Sequence, residues 1–201
     1  MIEFKKVRYT YFSKFYTLYD FSYKFEDGNY ALIGENDCGP ITLIRLLAKL
    51  DTYYKGDILI DDKSLKKVNY KKDYSVAYIS TTPRFFNNKS VIENVCYPLK
   101  SRGVKKQERR NIALVHLSNW GWKDKAYVKV KDLSKNELIM LTLIRASVRK
   151  LDLLLCEDIF DNISHTILDK ISTTTKIIVS KNGDGFENYT SLIFGLGNLK
   201  E

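Results

Sequence analysis

The stretch that most constrains this chain is residues 29–50, NYALIGENDCGPITLIRLLAKL. It opens with a short apolar run that ends at Gly34, and apolar residues then recur at near-helical spacing from Ile41 onward. This pattern predicts a buried strand, a loop bounded by glycines and an amphipathic helix. The same order of elements carries the phosphate-cradling loop of many nucleotide-binding proteins.

The loop GENDCGPI keeps the frame of a phosphate-binding loop but lacks its chemistry. The pattern G-x-x-x-x-G-K-[ST] requires two glycines, and Gly34 and Gly39 stand at the right separation. Pro40 takes the lysine position and Ile41 takes the hydroxyl position. Proline is favoured at the first position of a helix, because its fixed φ fits and its missing N–H is not needed there. We therefore predict that the strand–loop–helix geometry is kept while phosphate binding is weakened.

A phosphate at this loop would lose several partners. The missing lysine removes a charge-assisted hydrogen bond of roughly 1.5–3 kcal/mol, and the missing hydroxyl removes a ligand for Mg²⁺. Thr42 carries the nearest hydroxyl, while Glu35 and Asp37 place negative charge where phosphates would approach. Cys38 is either a reactive thiol or a small residue without a chemical role. The alternative interpretation is a turn that only looks like a phosphate loop.

Composition describes an ordinary folded chain rather than a membrane-spanning or secreted one. Its 201 residues are 44% hydrophobic and 28% charged, which is enough for one domain with a full core. No run of eighteen apolar residues occurs, and the N-terminus lacks the apolar segment of a signal peptide. The cysteines Cys38, Cys96 and Cys156 show no metal-ligand spacing, so no metal site is expected. We therefore predict a cytoplasmic location.

The formal charge of +9 permits binding to nucleic acid or to an anionic membrane surface. The lysines are spread along the whole chain, so a solvated lysine-rich surface is the simpler interpretation. His116 and His165 are expected at the surface.

Periodicity predicts strands alternating with helices. An alternating pattern at residues 2–11 resembles an edge strand, and residues 74–80 are apolar enough for a buried strand. Further strands are predicted at 21–25, 30–33, 57–60, 151–156, 176–180 and 191–194, and helices at 91–101, 105–117, 136–150 and near 165–171. This order predicts an α/β fold with a largely parallel sheet and ligands at its carboxyl edge.

Several landmarks then fall in one order along nearly the whole chain. They are the loop after YALI, YISTTPRFF before a helical region, LSKNE before an apolar helix, and LLLCEDIFDNI at a buried strand. This order resembles the nucleotide-binding domain of ATP-binding-cassette (ABC) transporters. The resemblance implies a single P-loop NTPase-like cassette over residues 1–201, with a mostly parallel central sheet, N-terminal antiparallel strands and a helical subdomain. The core would comprise residues 1–82 and 151–201, and the helical subdomain about 83–150.

The resemblance also assigns roles to individual positions. Tyr11 fits the aromatic residue that stacks on adenine, and Thr81 corresponds to the loop glutamine that senses the γ-phosphate. The LSGGQ signature reads LSKNE, in which Ser134 is kept while Lys135 and Asn136 replace both glycines. Side chains there should crowd the approach of backbone amides to the partner's ATP.

The acidic pair that holds Mg²⁺ and the attacking water runs Asp-Glu in the family. Here it is Glu157-Asp158, so the base is one methylene shorter, and we expect it to fall outside hydrogen-bond distance of the water. The switch histidine falls at Lys181. The positions Thr81, Glu157, Asp158 and Lys181 are therefore degenerate relative to the family. We assign no catalytic residue and predict negligible ATPase activity from the chain alone.

The resemblance therefore implies a site that binds ATP and Mg²⁺ weakly. It implies no cofactor that the protein requires. The candidate cofactor-binding residues are Tyr11, Gly34, Asn36, Asp37, Cys38, Gly39, Pro40, Ile41, Thr42 and Ser134. A weak ATP-binding subunit without hydrolysis, or with very slow hydrolysis, is the first alternative to a pseudo-ATPase.

The implied partners are a membrane-spanning transporter subunit and a second nucleotide-binding subunit, in a homodimer or a heterodimer. The aromatic-rich region 81–150 corresponds to the part of the family that holds the membrane subunit's coupling helix. The protein would then be peripheral on the inner face of the cell membrane, as a scaffold or regulator. An ABC-like protein whose basic surface binds nucleic acid is an alternative of another class, although nucleic acid is not an expected partner.

Overall fold

The central strand of the larger sheet is β3, Gly28–Ile33. It pairs in parallel with β8, Thr173–Ser180, on one side and with β9, Thr190–Gly195, on the other. Its middle residues are buried, and Ile33 at its end is in register with Ser180. The predicted buried strand before the glycine-bounded loop is confirmed.

The larger sheet has six strands. Their spatial order is β10 (Asn198–Leu199), β9, β3, β8, β7 (Leu151–Cys156) and β6 (Val76–Ile79). All of β7 is buried except Asp152, as its apolar run predicted. The prediction of a buried strand at 74–80 was wrong in one respect, because β6 lies at the edge of the sheet and only Ile79 is fully buried.

A second, antiparallel sheet is built from the N-terminal part of the chain. Its order is β2 (Leu18–Phe25), β1 (Ile2–Tyr9), β4 (Lys55–Ile60) and β5 (Lys63–Ser64). The expectation that the first strand lies at an edge was wrong, because β1 pairs with both β2 and β4. Its alternating pattern reflects one buried face, which edge and interior strands of an antiparallel sheet share.

The described residues contain four α-helices, and each was predicted within a few residues of its ends. They are α1 (Pro40–Leu47), α2 (Val91–Lys100), α3 (Lys106–Asn119) and α4 (Lys135–Ser147). The predicted helix near 165–171 is a 3₁₀ helix at His165–Lys170. Helix α4 buries seven of its thirteen residues, as its apolar composition predicted.

The chain divides into two compact units. The first contains Met1–Tyr78, Asp152–Asp158 and Thr173–Glu201, and the second contains Ile79–Leu151 and Ile159–Ser172. The core of the first unit joins residues of both sheets with the buried face of α1. The core of the second unit is formed by α2, α3 and α4 and the segments beside them.

The computed structural model describes residues 1–11, 17–34, 39–159, 164–195 and 198–199. Within those ranges, every helix is too short or too polar to cross a membrane.

Candidate nucleotide site

Helix α1 begins at Pro40, directly after a glycine with left-handed backbone geometry. Gly39 is the N-cap residue, with φ of 105°. A Cβ atom there would lie 2.8 Å from Leu18 Cδ2 and 3.1 Å from the carbonyl oxygen of Thr17. The carbonyl oxygen of Gly39 accepts a 3.0 Å hydrogen bond from the amide of Leu43. The predicted geometry of proline at the start of the helix is confirmed, and Pro40 brings no N–H to it.

The glycine at the other end of the loop is also fixed by its neighbours. The amide of Gly34 donates to the carbonyl oxygen of Ser180 at 3.1 Å. A Cβ atom on Gly34 would lie 3.0 Å from Phe194 Cβ and 3.2 Å from Pro40 Cγ. Both glycines of the loop pattern therefore lie where a Cβ atom would be crowded by its neighbours. The predicted ligand positions Asn36, Asp37 and Cys38 lie outside the described residues.

The positions after Pro40 face the protein interior. Ile41 is half-buried and packs against the core of the first unit. The side chain of Thr42 is buried, and its hydroxyl lies 3.4 Å from the phenolic oxygen of Tyr11. Tyr11 is 48% exposed, and its ring meets Tyr9 edge-to-face with centroids 4.9 Å apart. The predicted adenine-stacking residue therefore keeps an accessible ring beside the start of α1.

An ion pair joins Arg45, near the C-terminal end of α1, to Asp51, which follows the helix. The Arg45 guanidinium donates from Nε to Asp51 Oδ2 at 2.7 Å and from Nη2 to Oδ1 at 3.1 Å. This two-pronged contact raises the pKa of Arg45 well above its usual range. The phenolic oxygen of Tyr11 lies 3.5 Å from Asp51 Oδ2, so the ion pair also reaches the exposed aromatic residue.

The first residue of the acidic pair is engaged from within the fold. Glu157 follows β7, is buried, and accepts a hydrogen bond through Oε1 from the hydroxyl of Tyr78 on β6. Burial and this bond raise the pKa of Tyr78 far above its usual range, while Arg45 opposes the rise. The hydroxyl therefore stays protonated and keeps donating at neutral pH.

The second residue of the pair lies closer to solvent. Asp158 is half-buried, and its Oδ2 accepts a 3.1 Å hydrogen bond from the backbone amide of Lys181. Lys181 follows β8 with its side chain exposed. The structure thus brings two of the predicted site positions, Asp158 and Lys181, together through a backbone contact.

Two predicted positions belong to the second unit. Thr81 is exposed. Ser134 is the N-cap of α4, where its hydroxyl donates to Glu137 Oε2 at 2.7 Å and accepts from the amide of Glu137 at 3.4 Å. Glu137 also pairs with Lys125, and these donors lower the pKa of Glu137 to about 2. The retained signature serine therefore serves as a helix cap, with a glutamate partner at the last signature position.

In the first unit, six polar side chains form two groups of contacts. Thr42, Tyr11, Asp51 and Arg45 contact one another along α1, while Tyr78 and Glu157 join the ends of β6 and β7. Sequence reasoning missed Asp51, Arg45 and Tyr78. Tyr78 and Glu157 lie 79 positions apart, so no spacing rule joins them. The only available signal was that their two strands would become neighbours in the sheet.

In the portion of the chain that the structure covers, no three His, Cys, Asp or Glu side chains cluster as a metal site would require. Glu157, at the position of the Mg²⁺ ligand, already has a protein donor. The arrangement can hold a planar ring at Tyr11, and it offers a phosphate neither a lysine nor a hydroxyl at the first two positions of α1.

A parallel sheet with a glycine-bounded loop leading into a buried helix, beside an antiparallel sheet, is the arrangement of an ATP-binding cassette. The sequence profile of the ABC transporter family matches residues 18–160. The chain belongs to the ABC transporter family.

Individual relatives agree with this assignment. A putative ABC transporter ATP-binding protein of Clostridium tetani is 34% identical over 54% of this chain and 26% of its own length. The methionine import ATP-binding protein MetN of Clostridioides difficile is 30% identical over 90% of this chain and 55% of its own length. The chain thus spans about a quarter to just over half of these two relatives.

A solved structure supports the fold. The ATP-binding cassette MJ0796, in a dimeric post-hydrolysis state bound to ADP and Pi, superposes with a TM-score of 0.85. The alignment covers 100% of this chain and 97% of that cassette at 17% identity. The predicted α/β cassette fold, with a parallel sheet and an antiparallel N-terminal sheet, is confirmed.

Proposed function

We propose that this chain is a catalytically impaired ATP-binding-cassette subunit that acts as a scaffold or regulator. It docks on a membrane transport subunit, or pairs with a second cassette protein, at the inner face of the membrane. The observation that carries this proposal is the hydrogen bond from Tyr78 to Glu157. A carboxylate that is buried and bound by its own fold is poorly placed to share a metal ion with a phosphate.

The residues at the start of α1 support the same proposal. Phosphoryl transfer depends on positioned charges around the transferred group and on Mg²⁺. Pro40 and Ile41 supply neither the ammonium nor the hydroxyl that this chemistry needs. Ser134 is used as a helix cap, and Lys135 and Asn136 add side chains beside it.

The test is steady-state ATP hydrolysis by the purified chain, compared with a Glu157→Gln, Asp158→Asn double variant. We expect no hydrolysis above the rate of the double variant. Turnover that the double variant abolishes would overturn the proposal, because it would show that this acidic pair supports catalysis. The double variant also serves as the control for contaminating ATPases.

Weak nucleotide binding without turnover remains the second candidate, and the exposed ring of Tyr11 favours it. Thermal melting with and without millimolar MgATP separates the two. A ligand at about 100 times its Kd stabilises by roughly 2.7 kcal/mol, which corresponds to several degrees for a chain of this size. A shift that disappears in Tyr11→Ala supports the weak site, and an unchanged melting temperature supports a cassette without nucleotide.

A further inference from the structure

A lysine-rich segment lies in the first unit, beside the C-terminal end of α1. Residues 63–73, KSLKKVNYKKD, carry five lysines and one aspartate. They begin with β5 and continue through two turns, in which the amide of Lys67 donates to the carbonyl oxygen of Ser64 and that of Lys72 to the carbonyl oxygen of Asn69. Charge of one sign that is concentrated on a short, ordered segment is the electrostatic pattern of a site for an anionic partner.

The lysine-rich segment is held against α1 by its other residues. Leu65 and Val68 are buried, and the hydroxyl of Tyr70 donates to the carbonyl oxygen of Leu47 in α1. Lys49, just past the helix, donates to the carbonyl oxygen of Val68. The five lysine side chains of the segment are exposed. The backbone of the segment is therefore fixed while its charges stay in solvent, so little further ordering is needed when a partner binds.

Most of these charges have no counter-ion within the described part of the protein. Asp73, the one acid of the segment, pairs with Lys63 at 2.5 Å and accepts a hydrogen bond from the amide of Asn69. No carboxylate of the described residues forms an ion pair with the other four lysines, which are Lys66, Lys67, Lys71 and Lys72. Four positive charges of the segment are therefore left for an external anion.

A cavity of about 190 Å³ joins the lysine-rich segment to the residues that follow α1. Its lining includes Leu65 and Lys66 of the segment together with Lys49 and Tyr54. The Lys66 ammonium lies over the Tyr54 ring, 4.8 Å from the centroid. Residues 49–54 and the lysine-rich segment therefore form one continuous surface.

Two apolar side chains of residues 49–54 are exposed beside the lysines. Tyr53 is 92% exposed and Leu50 is 53% exposed, so both are accessible to a partner. Tyrosine and leucine beside a group of lysines are typical of proteins that bind at the interface of a lipid bilayer. There the apolar groups enter the boundary between headgroups and acyl chains, while the ammonium groups stay among the lipid phosphates.

The type of cation favours a lipid surface over a nucleic acid. The cations of both stretches are all lysines, whereas arginine, with its planar fork of donors, is preferred for bidentate recognition of phosphates and bases. Lysine acts as a point charge. The attraction of lysines to a membrane depends on how many charges reach the surface and less on their exact geometry.

We infer that the surface formed by residues 49–54 and 63–73 binds the anionic phospholipid face of a membrane. The lysines lie among the lipid phosphates, and Tyr53 and Leu50 enter the interface beside them. This inference rests on the proposed location at the inner face of the membrane, and it adds a direct contact with lipid to the contact with a transport subunit. The chain should therefore bind such a membrane without any partner protein.

The test is flotation of the purified full chain with vesicles that contain no other protein. One set consists of phosphatidylcholine alone, and the other of equal parts of phosphatidylcholine and phosphatidylglycerol. At low salt we expect the chain to bind the anionic vesicles at least about tenfold better than the neutral ones. Raising the salt concentration should weaken this binding, because salt screens the lysines.

Two matched double variants assign the binding to this surface. Each lysine near an anionic surface contributes roughly fivefold to the affinity, so Lys66→Gln with Lys67→Gln should weaken binding by about tenfold or more. Lys131→Gln with Lys150→Gln removes the same charge at exposed positions of the second unit. This control should stay within about threefold of wild type.

The exposed tyrosine tests the apolar part of the contact. Because Tyr53 is almost fully exposed, Tyr53→Ser should leave the melting temperature unchanged and weaken vesicle binding by roughly threefold or more, with the salt dependence retained. Tyr127→Ser removes an exposed tyrosine of the second unit and should leave vesicle binding unchanged.

Equal binding to neutral and anionic vesicles would overturn the inference. Equal losses in the two double variants would also overturn it, because the total charge would then be responsible. Tighter binding of a single-stranded RNA oligonucleotide, weakened by the same substitutions of Lys66 and Lys67, would replace it with nucleic-acid recognition.

The outcome is separate from that of the proposed function. A chain that hydrolyses ATP but floats with anionic vesicles would refute the catalytic impairment and leave the lipid contact in place. A chain that neither hydrolyses ATP nor floats would refute the lipid contact and leave the catalytic impairment in place.

Discussion

Tyr78 changes the chemistry of the acidic pair more than any substitution visible in the motifs. The phenol of Tyr78 donates to Oε1 of the buried Glu157 carboxylate and so supplies one of the hydrogen bonds that this acid needs. Burial and the bond to Glu157 raise the pKa of Tyr78 further above neutral pH. Residue identity at one strand position therefore decides how the neighbouring strand's glutamate is used.

We predict that Tyr78→Phe lowers the free energy of unfolding by about 1–3 kcal/mol, because the substitution removes a donor from a buried carboxylate. Urea unfolding at neutral pH measures the change. Tyr54→Phe is the matched control, since the buried Tyr54 hydroxyl has no hydrogen-bond partner within the described ranges. That variant should stay within about 0.5 kcal/mol of wild type. Similar losses in both variants would contradict the stabilising role of the bond.

His116 provides a pH-dependent contribution. Both histidines were expected at the surface, and both are half-buried and so keep part of their surface exposed. Nδ1 of His116 lies 3.2 Å from Ser147 Oγ, which donates to the carbonyl oxygen of Ile144. Burial lowers the pKa of His116 below its usual range, so the unfolded chain binds this proton at a higher pH than the folded chain.

We predict that the free energy of unfolding falls as pH drops below about 6.5, the usual pKa of histidine, toward the folded pKa of His116. In His116→Gln this part of the decrease should be absent, so the slope between neutral and mildly acidic pH becomes shallower. Urea titrations at a series of pH values measure the slope. His165→Gln keeps His116 and should retain the wild-type slope, and an unchanged slope in His116→Gln would refute the assignment.

The structural role of some residues could be predicted from the sequence, and that of others could not. The place of Pro40 at the start of a helix followed from proline's own backbone geometry and needed no knowledge of the fold. The bonds of Arg45 and Tyr78 are tertiary contacts, and their partners are determined by which strands and turns become neighbours. The spacing of residues along the sequence does not show which strands and turns become neighbours.

At the scale of elements, α1 is held in place by its first residues. Gly39 has a φ of 105°, which side-chain-bearing residues rarely adopt, and a Cβ atom there would be crowded by Leu18 of β2 and by the carbonyl oxygen of Thr17. The glycine pattern that marks a phosphate loop therefore also records the packing of α1 against the antiparallel sheet. A chain can keep the pattern for this reason after it has lost the lysine.

We predict that Gly39→Ala is more destabilising than Gly121→Ala. Both glycines have positive φ, which costs alanine about 1 kcal/mol. A Cβ atom at Gly121 meets nothing within 4 Å, whereas one at Gly39 lies 2.8 Å from Leu18 Cδ2. The difference between the two free energies of unfolding contains the steric contact together with the larger backbone strain of a φ of 105° compared with 71°. Equal losses would show that the contact with Leu18 relaxes freely.

Helices and buried strands were predicted well because their period and length are local properties. The errors concern position within a sheet: β1 lies inside its sheet and β6 lies at an edge. The alternating residues of β1 indicate one buried face, and the apolar residues of β6 indicate partial burial. Neither pattern states how many neighbours a strand has.

At the scale of the molecule, the order of the sequence motifs predicted the fold class, because several motifs at consistent separations resemble one family. The match over residues 18–160 and the superposition at a TM-score of 0.85 confirm it. The division into a core of residues 1–82 and 151–201 and a helical part stays a prediction, as does every assigned site role.

The net charge of +9 gives a further prediction for the whole chain. Any affinity for a DNA duplex should be non-specific and should fall at least about tenfold between 50 and 200 mM salt, because it arises from counterion release. Fluorescence anisotropy with two duplexes of unrelated sequence measures it. Tight binding that survives the higher salt and distinguishes the sequences would instead support the nucleic-acid alternative.

The two groups of polar side chains, one at Thr42 and one at Glu157, have a consequence for the living cell. A cassette that relies on bound nucleotide for part of its folding stability becomes more susceptible to proteolysis when the energy charge drops. Here protein side chains already contact one another within both groups. We therefore expect the abundance of this chain to stay constant when cellular ATP falls. A complex that contains the chain would then persist after ATP is depleted.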